Sequence, residues 1–204
     1  MHSNDNKEFQ TLLAKAVAFH GHLCGGQIIG VKMAMAGLRE VGINDPKGAD
    51  RKDLIVLVEI DRCATDAIIT ATGCRVGRRS LKVLDYGKMA ATFVNMKTGK
   101  AVRINATAES RRRAEELEEK LIGTPGVENA FCEALLRMSE EELFRIREVS
   151  VHLKPQDLPG EPLDVVICEE CGETVLDMRE VEKGGRLLCR TCADGTAYYA
   201  PMSA

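Results

Sequence analysis

The run Leu54-Ile55-Val56-Leu57-Val58-Glu59-Ile60, followed at once by Asp61-Arg62-Cys63-Ala64-Thr65-Asp66, decides the reading of the fold. A continuous β-rich apolar run of this length keeps no face for solvent, so it predicts a central strand. Just after it, Thr65 to Thr72 places apolar residues at helical spacing and stops at Gly73. Upstream, Gln27 to Val41 is apolar around most of its circumference and predicts a buried helix, closed by Gly42. Before that, Phe9, Leu12, Leu13, Ala16, Val17 and Phe19 form a helical stripe that ends at His20-Gly21-His22. Downstream, Leu81 to Leu84, Ala90 to Met96 and Ala101 to Asn105 read as strands, with Lys97-Thr98-Gly99-Lys100 as a hairpin turn. Glu109 to Ile122 is a charged helix, Ser139 with Glu142 opens a short one, and Phe144 to Leu153 alternates as a strand. Helices and strands interleave without a βαβ period, so the fold class is α+β.

Composition bounds the function. With 204 residues, 45% hydrophobic and 29% charged, the chain is long and apolar enough for one real core plus a small appendage. The net charge of −3 gives no pull toward nucleic acid or anionic lipid, and three Tyr, five Phe and no Trp leave few stacking platforms for bases. No apolar run reaches the roughly 18 residues of a membrane span. Residues 1–19, interrupted by Asp5, Lys7, Glu8 and Lys15, lack the order of a signal peptide. A cytoplasmic chain is the expectation. In a reducing compartment the eight cysteines read as ligands, nucleophiles or core residues rather than as a disulfide framework.

Those cysteines fall into two sets. Cys168-Glu169-Glu170-Cys171 and Cys189-Arg190-Thr191-Cys192 form two C-x-x-C knuckles separated by 17 residues. Each knuckle turns two thiolates toward one point, and four thiolates suit tetrahedral Zn²⁺ with no position left open. Cys168, Cys171, Cys189 and Cys192 are therefore assigned a structural zinc that folds a module too small to stand on its apolar core. Six acidic residues around the knuckles argue against DNA as its partner. Ahead of the module, three prolines and a glycine between Pro155 and Pro162 end any regular element. The expected organisation is a core domain over 1–154, a linker over 155–162 and a zinc finger over 163–204.

The remaining chemistry lies in the core domain. Phe19-His20-Gly21-His22-Leu23-Cys24-Gly25-Gly26 alternates three ligand-type side chains over five residues, just before the buried helix. A helix start offers free N–H groups and favours a thiolate at Cys24. Imidazole with thiolate suits zinc, iron, nickel or copper. The strand-to-helix junction adds Cys63 at a helix start and Asp66, which could orient a histidine or a bound water. A second transition metal held by His22, Cys24 and Cys63 is one reading, with His20, Asp66 or Cys74 as a further ligand or support. A metal-free thiol enzyme is another, with Cys24 or Cys63 as nucleophile and His20 or His22 as base. A finger that recognises a protein partner is a third. Cys74 stands at the far end of the same helix, about 16 Å from Cys63, and joins them only if the chain folds back or a second copy contributes. Cys132, beside Phe131 and Leu135, reads as core.

The octapeptide at 19–26, together with Cys63-Ala64-Thr65-Asp66-Ala67-Ile68, Thr72-Gly73-Cys74 and Asp85-Tyr86-Gly87-Lys88-Met89-Ala90, resembles the FmdE-like family of formylmethanofuran dehydrogenase components over roughly residues 9 to 150. The resemblance implies an α+β core, a homodimer and a cleft lined by His20, His22, Cys24, Cys63, Asp66 and Cys74. It also implies a C-terminal four-cysteine finger of treble-clef type, and association with a larger molybdenum- or tungsten-pterin enzyme of one-carbon reduction, as an oxidoreductase component or accessory protein. A stand-alone two-domain form need not serve methanogenesis. Arg75 and Arg78-Arg79-Ser80 depart from the family pattern after Cys74, which bears on substrate choice if that loop shapes the pocket.

Overall fold

The computed structural model describes residues 3–200 and 202, with side chains from Asp5 onward. It divides into two compact units, Met1–His152 and Leu153–Ala204. The first unit opens with α1 (Ser3–His20) and α2 (Gly25–Val41) and continues through β1 (Leu54–Val58), α3 (Cys63–Thr72) and β2 (Leu81–Val83). The hairpin β3 (Ala90–Asn95) and β4 (Ala101–Ala106) leads to α4 (Ala108–Leu121), α5 (Ala130–Arg137), α6 (Glu140–Leu143) and β5 (Phe144–Glu148). The five strands form one sheet in the order β2-β1-β3-β4-β5. β1 and β2 are parallel, with Val56 opposite Leu81, and the other pairs are antiparallel. The last strand is shorter than its alternating sequence predicts, ending at Glu148 rather than Leu153, because only Phe144 to Glu148 find partners along β4.

Chain stops follow from local chemistry. Gly42 and Gly73 close α2 and α3 in the left-handed conformation, at φ of 71° and 73°. Thr107 with Ser110, and Ser139 with Glu142, form reciprocal caps at the starts of α4 and α6. Glu109 pairs with Arg112, and Arg111 with Glu115, along the charged helix.

One face of the sheet packs on the buried helices. Leu54, Val56, Val58, Ala91, Phe93, Val102 and Ile104 share a core with Ile28, Val31 and Ala34 of α2. Glycines set how close α2 comes to its neighbours. A Cβ at Gly30 would stand 2.5 Å from the Ala64 carbonyl oxygen, and one at Gly37 would stand 2.3 Å from the Phe93 ring. Gly26 likewise meets Cys63, so α2 and α3 lie side by side with their first turns together. Lys32 is the one charged residue of α2 that is buried, and its ammonium donates to the carbonyls of Leu135, Leu136 and Met138 at 2.8, 3.1 and 2.7 Å. It thereby satisfies the orphan acceptors at the end of α5. Burial pushes this lysine down to about 8.

The second unit contains two small hairpins, β6 (Val165–Ile167) with β7 (Thr174–Leu176) and β8 (Val181–Lys183) with β9 (Arg186–Leu188), then α7 (Arg190–Asp194). Its buried core consists of Cys168, Leu188 and Ala193, with Val175 and Val181 packed against them. Among the described residues no helix is long and apolar enough to cross a membrane.

Candidate metal centres

In the second unit the first knuckle fills the bend between β6 and β7, and the second runs from the end of β9 into the first turn of α7. This arrangement of knuckle, hairpin and helix start is a treble clef. The four ligand sulfurs of Cys168, Cys171, Cys189 and Cys192 all lie within 4.8 Å of one another. Cys168 is buried, and backbone N–H groups of Cys171 and Cys189 hold its thiol down to about 6. The Cys192 amide donates to the Cys189 sulfur at 3.4 Å. An acidic thiol ringed by backbone donors and three more sulfurs fits a closed structural zinc site.

The first unit contains a second cluster, built from three separate elements. His20 is the last residue of α1, Cys24 is the N-cap of α2, and Cys63 is the first residue of α3. One ring nitrogen of His20 and the two sulfurs also lie within 4.8 Å of one another. The chain turns sharply between the first two because Gly21 takes φ of +99°, a conformation costly for any other residue. The approach of Cys63 depends on Gly26, where a Cβ would stand 2.7 Å from the Cβ of Cys63. Gln27 adds a tether, its amide donating to the Cys63 carbonyl at 2.6 Å. Thr65 donates to the Ile60 carbonyl, also at 2.6 Å, and fixes the loop between β1 and α3.

Asp66 stands one turn beyond Cys63 on α3, and its carboxylate bonds His20 Nδ1 at 2.8 Å. A carboxylate accepts, so Nδ1 carries the hydrogen and Nε2 presents its lone pair. That Nε2 atom is buried and has no hydrogen-bond partner. A buried acceptor with no protein partner, set beside two thiols and aligned from behind by a carboxylate, has the chemistry of a metal ligand. Burial first, and then neighbouring Cys24, push the Cys63 thiol above its ordinary range. Without a cation, this is a poor place for a free thiolate.

Two expectations change. His22 is not in the trio: it is exposed, with its ring 4.8 Å from that of His20, and the end of α1 turns His20 inward instead. Cys74 is not at the site either. It is only 3% exposed, packed in the hydrophobic core, with its sulfur 3.9 Å from the Leu54 carbonyl, and desolvation raises its thiol. Cys132 is buried in α5, as its setting suggests. Gln27 and Gly26 carry no chemical signature in the sequence, and only the packing of α2 on α3 brings them into the site.

Residues 19–145 match the family model FmdE, described as molybdenum formylmethanofuran dehydrogenase operon, and the chain belongs to this family. Residues 164–196 match the prokaryotic dksA/traR C4-type zinc finger. A curated relative from Archaeoglobus fulgidus, described as a probable S-adenosyl-L-methionine-binding protein, is 32% identical over 211 residues. The match takes in 97% of this chain, which spans only 56% of that relative. A crystal structure of an FmdE-like protein of tungsten formylmethanofuran dehydrogenase, from Syntrophus aciditrophicus, superposes with a TM-score of 0.60 at 25% identity. That likeness covers 94% of this chain and 95% of the other.

Proposed function

We propose that His20, Cys24 and Cys63 hold a divalent transition ion with one position left for a small ligand, and that the chain acts in or alongside a molybdenum- or tungsten-pterin one-carbon redox system. The observation that carries the metal reading is the bare, buried Nε2 of His20, aligned by Asp66 on its far side and close to two sulfurs. Three protein ligands and a free fourth position are the pattern of reactive zinc-type sites, whereas four thiolates are the pattern of structural ones. When bound, such an ion supplies Lewis acidity toward a donor atom of the ligand.

The rest is the work of the protein. Asp66 keeps His20 in the Nε2-basic tautomer and fixes its ring plane. Gln27 and the close pass at Gly26 hold Cys63 against Cys24, and Phe131 and Leu135 wall the start of α2 at Gly25. Family membership supports the one-carbon setting. The Archaeoglobus relative's description supports a small-molecule ligand. One-carbon or pterin-like compounds are the substrate class favoured here.

Elemental analysis of the purified full-length chain tests the metal reading. Two metal ions per chain are expected, falling to one in Cys63→Ala with the finger still loaded. One ion per chain in both proteins would sink it.

A further inference from the structure

His20 and Cys24, four residues apart, both supply atoms to the core cluster, so the chain between them loops around the site. His22 is the midpoint of that loop. A four-residue segment could stretch to about 14 Å, yet here its two ends contribute atoms within 4.8 Å of one another. The residue between is thereby tethered beside the position that the trio leaves free.

Its surroundings leave it able to move. His22 is exposed, and its ring is held by no hydrogen bond among the described residues. The ring lies 4.8 Å from that of His20, tilted by 39°. Gly21, the residue before it, has open space where a Cβ would be. An imidazole at short tether acts as a ligand of high effective concentration, and one with no second anchor leaves as easily as it arrives.

We propose that His22 is a displaceable fourth ligand of the core ion, filling the free position until a donor atom of the substrate takes it. This rests on the three-ligand reading above and adds to it how the site is kept closed between substrates. The exchange is a simple one: the bond from a His22 ring nitrogen breaks and a bond from a sulfur, oxygen or nitrogen of the small molecule forms, with no change of oxidation state. A fold that sets a free histidine beside a three-ligand site in this way protects the ion from loss without blocking access.

The test uses the full-length chain, labelled with ¹⁵N-histidine and loaded with Zn²⁺, read by long-range ¹H–¹⁵N spectra. Zinc-bound ring nitrogens are expected at both His20 and His22. Addition of 2-mercaptoethanol as probe ligand should free His22 alone. His22→Ala should bind the core zinc about tenfold more weakly at unchanged stoichiometry. A zinc-bound His20 with His22 free throughout, and an unchanged affinity in His22→Ala, would overturn the proposal and leave the three-ligand site standing. His22 still bound under saturating probe would make it a permanent ligand, which also overturns displacement. Neither histidine bound, with one zinc per chain, would remove the three-ligand reading and this proposal together.

Discussion

The two clusters invert the relation between fold and ligands. In the finger, all four sulfurs come from two knuckles within 25 residues of sequence, mounted on strands of three residues each. Only Cys168, Leu188 and Ala193 are buried there. A core of that size cannot offset the chain entropy of ordering its own hairpins, so the ion must supply the difference. In the first unit, the three ligand atoms come from three helices, each already fixed by a packed core. There the fold makes the site, and an ion adds little to the fold. The number of ligands agrees with this division: a site that organises a chain is closed, and a site that is organised by one can leave a position free.

The contrast is broken most directly by taking metal away. Structural zinc sites carry about 10–16 kcal/mol of apparent binding free energy. Chelation, or Cys189→Ser, is therefore expected to unfold residues 163–196. Hydrogen exchange should show amide protection collapsing in β6 to α7 while β1, β3 and α2 keep theirs. Loss of protection in both units would mean that the finger is not an independent metal-dependent fold.

Cys63→Ala reverses the pattern. It should abolish the core ion while changing the stability of the first unit by only about 1–2 kcal/mol, because Cys63 is only half-buried. Calorimetry with metal analysis reads both quantities on one sample. An unfolded first unit would move the core site into the same class as the finger.

Asp66→Asn is subtler. It keeps size and a hydrogen bond but no longer fixes the tautomer of His20. Loss of such a partner lowers metal affinity by about 10–100-fold. Competition with a chromogenic chelator should show this at the core site and leave the finger's affinity unchanged. Equal affinity in the variant would show that the 2.8 Å contact does not orient the ligand.

The same contrast explains what can be read from the sequence. The finger is legible because its ligands are local: spacing alone brings Cys168, Cys171, Cys189 and Cys192 together. The strand at 54–58 and the buried helix before it are legible because patterning reports burial directly. The core trio is legible only in its residue types. Which histidine turns inward depends on Asp66, 46 residues away from His20, and on the left-handed turn at Gly21. Neither leaves a periodic trace. Cys74 shows the converse: it stands in a motif beside Thr72 and Gly73, yet its position at the far end of α3 makes it a core residue. Gln27 and Gly26 are invisible because packing between two helices, not composition, gives them their part.

Acid should separate the two units by a smaller effect. Protons compete with metal for thiolates, so the finger is expected to let go first as pH falls. The first unit has a different acid limb. Arg103 grips Glu59 through two bonds, at 2.6 and 2.8 Å, and holds its carboxyl below the ordinary range. A carboxyl depressed in the folded state binds fewer protons than it does unfolded. Its stabilisation is therefore complete above the unfolded value, about 4.3, and is lost as pH falls through the lower folded value. Unfolding midpoints of the first unit should accordingly stay flat from neutrality to about pH 4.3 and decline below it. In Glu59→Gln that part of the decline should vanish, at the cost of a lower plateau, since Arg103 then faces a neutral partner. An acid limb of unchanged slope in this variant would show that other carboxylates, not this pair, set the limit of the sheet.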